Sequence, residues 1–372
     1  MKIGKCRICG SALFEKPSLV LKNVPSRAQF LPSKRQLRYD KGINLEIFQC
    51  RFCGVVQLSN DPVNYYKKVI RATGISKEMT DFRRKQFSKF VESFSLAGKK
   101  IVEIGCGAGE FLAIMNQTGA IAYGIEYDKG LVNLCRDRGL KVVRDFVGIS
   151  THVLKGGPFD AFIMFSYLEH LPYPCETLKG VFNNLKDDAV GIVEVPNFDM
   201  ILRKNLFSEF MLDHLFYFTK ESLKITLNLS GFEIVKCNEI WHQYIISAIV
   251  KKRKIFDFSG FLDAQKKICE KIDQYLLKFE DKKVAIWGAG HQALAVLCFL
   301  KQLRKIKYVI DSAPFKQGRY TPVTHIPIVS PGMLGSDPVD TIIVMAGSYS
   351  EEIIKTIRYK YKGTKLIKLQ DF

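Results

Sequence analysis

KKIVEIGCGAGEFLAIM, residues 99–115, decides the fold. IVEI reads as a buried strand of a parallel sheet. GCGAG is a turn in which Gly105, Gly107 and Gly109 let the backbone approach a ligand where a Cβ would collide. EFLAIM then starts a helix. Strand, glycine turn and helix open a Rossmann-like unit with its ligand at the turn. A G-x-G-x-G alone is a weak signal, so the neighbouring strands carry the argument.

Glu103 lies in the first strand, two residues before the first glycine. AIAYGIEYD (120–128) forms the next strand and ends in Glu126, placed to accept from two ribose hydroxyls. LKVVRDF (140–146) ends in Asp145, which could accept from an adenine amine, with Phe146 beside it for stacking. FDAFIMFSYLEHL (159–171) and AVGIVEVPNF (189–198) supply a fourth and a fifth strand, and a helix over 77–94 precedes the set. The acids fall at carboxyl ends of strands, where an open α/β sheet binds ligands. A dinucleotide-binding dehydrogenase could share the first turn, but the third-strand acid argues against it. E-x-G-C-G-x-G with these two acids resembles a class I S-adenosylmethionine-dependent methyltransferase. That resemblance implies that Glu103, Gly105, Gly107 and Gly109 hold the methionine end, Glu126 the ribose, and Asp145 with Phe146 the adenine.

Upstream, CRICG and CRFCG place Cys6, Cys9, Cys50 and Cys53 in two C-x-x-C-G knuckles. Four thiolates in two tight turns suit tetrahedral zinc, and a closed four-cysteine set leaves no position for substrate, so the metal is expected to be structural. The stretch between the knuckles, with NVPS (23–26) and LPSK (31–34), reads as an inserted loop. Disulfides are not expected in a cytosolic chain.

Downstream, FMLDHLFYFT (210–219) puts Asp213 and His214 inside an aromatic run. Buried polar groups satisfy one another or do chemistry. His214 reads either as a core or capping histidine bonded to Asp213 or the backbone, or as a general base supported by Asp213 in a pocket of Phe210, Phe216, Tyr217 and Phe218. Methylation of a carbon next to a ketone needs such a base, and imidazole titrates in the right range. His170, in SYLEHL, is a second candidate at the site mouth.

Zinc knuckles, a methyltransferase core and an acid-His-aromatic stretch together resemble the sugar C-methyltransferases, over nearly the whole chain. NVPS, YYKKVIRATGISKEM (65–79) and VEVPN (193–197) fit the same family. The resemblance implies methylation of a nucleotide-linked 4-keto deoxysugar at the carbon beside the ketone. It assigns His214 as base, with Asp213, His170 and Tyr66 in the catalytic group, and Tyr65, Asn197 and Tyr217 toward the substrate. Either tyrosine of the 65–66 pair could face the substrate. The family's acid before the base is a glutamate, with a tyrosine a little upstream; here they are Asp213 and Met211.

KKVAIWGAGHQALAVLCFL (282–300) is again strand, glycine turn and helix, and KYVIDS (307–312) places Asp311 at ribose distance. Alone this would suggest NAD; equally, the turn could hold a phosphate or simply pack tightly. APFKQGRYTPVTHIPIVSP (313–331) resembles the C-terminal domain of the same family, which implies that Lys316, Arg319 and His325 help enclose the nucleotide-sugar.

The chain of 372 residues carries a formal charge of +19, spread along its length without a basic tail. This favours an anionic partner. The expectation is an α/β protein of three parts: a zinc module over 1–70, a methyltransferase over 71–254 and a Rossmann-like domain over 255–372. Its cofactors are S-adenosylmethionine and structural zinc, and its substrate a nucleotide-sugar. An O- or N-methyltransferase of a nucleotide-sugar is the nearest alternative. An RNA methyltransferase is further off, since SYLEHLPYP (166–174) replaces an Asn/Asp-Pro-Pro-Tyr slot. With no apolar run of bilayer length and no secretory h-region, a cytoplasmic location is expected, without a membrane or nucleic-acid partner.

Overall fold

The computed structural model describes residues 4–27, 31–68, 74–361 and 364–372. It divides into two compact units, 1–254 and 255–372.

In the first unit the elements run β1 (Leu19–Val24), β2 (Ile43–Gln49), β3 (Val56–Leu58), α1 (Lys77–Ser93), β4 (Lys100–Ile104), α2 (Glu110–Asn116), β5 (Ile121–Glu126), α3 (Lys129–Asp137) and β6 (Val142–Arg144). They continue with β7 (Phe159–Phe165), α4 (Pro174–Asn183), β8 (Leu185–Pro196), α5 (Phe198–Arg203), β9 (Phe216–Tyr217), α6 (Lys220–Leu229), β10 (Phe232–Ile240) and β11 (Ile245–Lys252). The central sheet has the order β10-β11-β8-β7-β4-β5-β6. Strands β4 to β8 pair in parallel and β10 and β11 antiparallel. Helices α1, α2 and α3 cover one face around Phe87, Leu112 and Val132, and α4 and α6 the other around Leu178 and Leu223. With both faces covered, the parallel strands are mostly apolar, and Glu103, Glu126 and Glu194 are buried acids among them.

Helix α1 is fixed by charge as well as by packing. Ser76 caps it by accepting from the Met79 amide, and Arg83, Phe87, Phe90 and Val91 form its buried stripe. The Arg83 guanidinium meets the Glu194 carboxylate of β8 at 2.5 Å and lies over the rings of Phe111 and Phe165. Gln86 and Ser247 donate to the same carboxylate. A buried pair holds only with such supporting bonds.

The segment between the cysteine knuckles is more ordered than the loop expected. β1 and β2 pair within it, and the small sheet β1-β2-β3-β9 takes its last strand from residues 216–217. The reason is apolar alternation: Leu45, Ile47, Val56 and Leu58 form one buried face against Phe198, Met200 and Tyr217. The N-terminal segment is thereby built into the first unit rather than set apart from it.

The second unit contains α7 (Ser259–Leu276), β12 (Val284–Trp287), α8 (His291–Leu297), β13 (Ile306–Ile310), β14 (Ile328–Val329), α9 (Met333–Ser336), β15 (Thr341–Val344), α10 (Ser350–Lys360) and β16 (Lys365–Lys368). Its parallel sheet, β14-β13-β12-β15-β16, carries α7 and α8 on one face and α9 and α10 on the other. The strand order reverses between β12 and β15, the place where such sheets hold ligands. A cavity of about 720 Å³ opens there, lined by Gly288, Gly290, Asp311, Lys316, Gly347 and Tyr349 among others.

Candidate active site

The turn after β4 is folded for close approach. Gly105, Gly107 and Gly109 all have positive φ. A Cβ on Gly109 would stand 2.6 Å from Leu140 Cδ1 and 2.9 Å from Cys135 Sγ, so both conformation and space demand glycine. Glu126, buried at the end of β5, accepts from the Gly107 amide at 3.0 Å and the Asp128 amide at 2.7 Å. Burial raises its pKa against the pull of those amides. Glu103 is buried in β4 beside the turn. Asp145 follows β6; its Oδ1 accepts from the Phe146 amide and lies 2.9 Å from His152 Nε2. Phe146, Tyr127 and Tyr66 surround Lys67 Nζ, which is 5.0 Å from the Phe146 ring centre. The expected cofactor residues are thus gathered at the carboxyl edge of β4, β5 and β6.

The acid-histidine stretch reaches the same edge from the far side. Residues 168–170 make a 3₁₀ turn after β7, the strand next to β4, and the Leu215 amide donates to the Glu169 carbonyl. His170 and His214 consequently meet edge to face, with ring centres 4.7 Å apart. His170 Nδ1–H donates to the Asp213 carbonyl at 2.7 Å, leaving Nε2 as the bare nitrogen of the neutral ring. Tyr65 Oη donates to Asp213 Oδ1 at 2.9 Å. Burial, then the neighbouring His170, brings the His214 pKa down to about 3, so this imidazole is neutral at physiological pH. Burial lowers His170 too, opposed by Asp213.

The structure separates the two adjacent tyrosines. Tyr65 touches Asp213, whereas Tyr66, assigned to the catalytic group, packs its ring edge-on against Phe146 at 6.0 Å. Two residues expected to face substrate have their polar atoms committed to the fold. Asn197 caps α5, accepting from the Met200 amide and donating to the Gln243 carbonyl, and is fully buried. Tyr217 Oη bonds both the amide and the carbonyl of Met211. Its ring does lie in the aromatic wall with Phe198, Phe210 and His214. In the second unit Lys316 pairs with Asp311 at 2.8 Å, Arg319 donates to the Phe315 carbonyl and His325 is exposed. The Asp311 carboxylate is also bound by the amides of Ala289 and Ala313, so it pins the glycine turn.

Sequence reasoning passed over Glu169. It is 1 % exposed, and among the described residues neither carboxyl oxygen has a hydrogen-bond partner. Burial drives its pKa up to about 8 against a weak pull from its own amide. The available signal was a repeated acid-histidine pair, Glu169-His170 and Asp213-His214, which folding brings together.

The four knuckle cysteines converge. Cys6 and Cys53 sulfurs are 3.5 Å apart, Cys9 and Cys50 3.6 Å, and all four lie within 4.8 Å of one another. Thiolates around a tetrahedral zinc stand about 3.8 Å apart, so the set fits that ion. Gly10 and Gly54 close the two turns in the left-handed conformation. No helix among the described residues is long and apolar enough to cross a membrane.

Two family models match the chain: a methyltransferase domain over residues 79–237 and a C-methyltransferase C-terminal domain over 250–369. C-methyltransferase NovU of Streptomyces niveus is 23 % identical over 95 % of this chain and 91 % of its own. A ubiquinone biosynthesis O-methyltransferase of Nitrosococcus oceani is 34 % identical, over 25 % of this chain and 41 % of its own. Among solved structures, an S-adenosylmethionine-dependent methyltransferase from Clostridium acetobutylicum covers 50 % of this chain and 96 % of its own, at 14 % identity and a TM-score of 0.39. With both family domains present in order and one relative matching almost end to end, the chain belongs to the S-adenosylmethionine-dependent C-methyltransferases.

Proposed function

We propose that the protein methylates the carbon beside the ketone of a nucleotide-linked keto-deoxysugar, with His214 as the base. S-adenosylmethionine supplies an electrophilic methyl group. The backbone at Gly105, Gly107 and Gly109 with Glu103 holds its amino-acid end, Glu126 its ribose, and Asp145 and Phe146 its adenine. The cysteine set holds one structural zinc that ties the N-terminal sheet to the rest of the unit. The net charge of +19 suits a diphosphate-bearing acceptor.

The observation that carries the reading is the neutral, half-buried His214 imidazole, set against Tyr217 and His170, the latter in the turn that follows the strand next to β4. A hydroxyl or amine acceptor needs little help to react, whereas a carbon acid needs a positioned base. Asp213, held by Tyr65 and carrying His170 on its carbonyl, keeps the two rings in register. His214→Ala should lower turnover of a nucleotide-linked 4-keto deoxysugar by about 10²- to 10⁴-fold. Its affinity for S-adenosylmethionine should not change. Turnover near that of the wild type would remove His214 from the mechanism.

A further inference from the structure

Glu169 asks for an explanation of its own. A buried carboxyl with no hydrogen-bond partner is rare. Its Oε1 lies 4.0 Å from His170 Nε2, and one nitrogen of each ring and a carboxyl oxygen all fall within 4.8 Å of one another. The three groups therefore ring a gap. Ligands around a metal at about 2.1 Å would stand about 3.4 Å apart, closer than this pair. Groups hydrogen-bonded at about 2.8 Å to one oxygen stand about 4.6 Å apart, inside the 4.8 Å limit, so the three groups can reach one shared oxygen atom.

The three groups differ in what they offer it. His170 has given its N–H to the Asp213 carbonyl, and His214 enters the reaction as a proton acceptor. Glu169 is left with a proton to donate. We infer that Glu169 is the general acid of the reaction, delivering its proton to the ketone oxygen of the acceptor while His214 removes hydrogen from the adjacent carbon. This rests on the ketone reading above.

The balance closes. The C–H bond breaks toward His214, the Glu169 O–H bond breaks, and an enol O–H forms that donates to His170 Nε2. His214 then carries a positive charge and Glu169 a negative one, within 4.8 Å, so the buried site stays neutral overall. The enol carbon takes the methyl group, the carbon–sulfur pair of electrons leaves with sulfur, and the enol proton returns to Glu169 as the ketone reforms. The half-buried His214 releases the remaining proton to solvent. A base as weak as His214 needs this help, because an unprotonated enolate in a dry pocket would lie too high. The titratable groups placed near Glu169 are His170 and His214, with Tyr244 close enough to feel its charge, while Asp213, bonded by Tyr65, holds His170 through its carbonyl. Burial lowers both rings and raises Tyr244, so the alkaline limb belongs to Glu169.

The test is exchange of the acceptor's α-hydrogen for deuterium in D₂O, with S-adenosylhomocysteine bound and a nucleoside-diphosphate 4-keto-6-deoxyhexose as probe. The wild type should exchange at a steady rate up to pH about 8 and lose activity above it. Glu169→Gln should be slower by about 10²- to 10⁴-fold and show no alkaline limb, since an amide neither transfers nor loses that proton. Its S-adenosylhomocysteine affinity should equal that of the wild type. A rate within threefold of wild type, or an alkaline limb that persists in Glu169→Gln, overturns the assignment and leaves His214 standing. Absence of exchange in the wild type overturns the ketone reading and the acid with it.

Discussion

Glu169 also makes a stability prediction that needs no substrate. Burial moves its carboxyl from an ordinary 4.5 to about 8. Each tenfold change in a protonation equilibrium is worth about 1.4 kcal/mol, so keeping this group protonated is worth about 5 kcal/mol. The group is 1 % exposed, and solvent screening takes little from that figure. The sign follows from proton counts. Between pH 4.5 and 8 the folded state holds a proton that the unfolded state has lost, so stability is full below pH 4.5, falls as pH rises, and levels off above pH 8. From pH 6 to pH 8 the wild type should therefore lose about 2.5 kcal/mol that Glu169→Gln does not lose. The chain has two tryptophans, Trp241 and Trp287, one in each unit. Urea unfolding at both pH values, in a Trp287→Phe background so that Trp241 reports the first unit, measures the difference. Parallel losses in the two proteins, within about 0.5 kcal/mol, would show that Glu169 is ionised in the fold and would refute the reasoning.

Three further outcomes follow from the same structure. Arg83→Met leaves Glu194 buried without its cation and should destabilise the first unit by about 3 to 5 kcal/mol in the same urea assay, whereas replacing both partners with apolar residues should cost much less. Gly109→Ala meets a φ of +81° and contacts at 2.6 and 2.9 Å; calorimetry should show at least tenfold weaker S-adenosylhomocysteine binding, a cost of about 1.4 kcal/mol or more. Metal analysis should find one zinc per chain, and Cys50→Ser should lose it together with part of the Trp241-detected stability, since a closed four-ligand site contributes directly to folding.

The sheet and its glycine turn were legible because they depend on short, local patterns. A parallel strand buried on both faces reads as an apolar run, and a turn that must admit a ligand reads as glycine. Residues 99–126 carry both, and the acids at the strand ends follow from them. The paired knuckles were equally plain, since four sulfurs in two turns have few other uses. The environment of Glu169 was hidden because it is made by the Leu215 amide reaching the Glu169 carbonyl, two segments distant in the chain. Tyr65 and Tyr66 could not be told apart because neighbouring side chains diverge, one toward Asp213 and the other toward Phe146. Asn197 and Tyr217 were expected to face substrate by the family resemblance; that their polar atoms also satisfy backbone groups was not legible, because the Gln243 and Met211 partners are set by the fold. The strand at 216–217 was invisible for the same reason as Glu169: its partner, β3, lies far upstream.

The central claim is that the acceptor atom is a carbon made nucleophilic by His214 and Glu169. It is tested most directly by incubating the enzyme with a nucleotide-linked 4-keto deoxysugar and S-adenosylmethionine labelled with ¹³C in the methyl group, then taking carbon–carbon correlation spectra of the product. A labelled methyl coupled to a carbon next to the carbonyl is the predicted result. A methyl bonded to oxygen or nitrogen would contradict it.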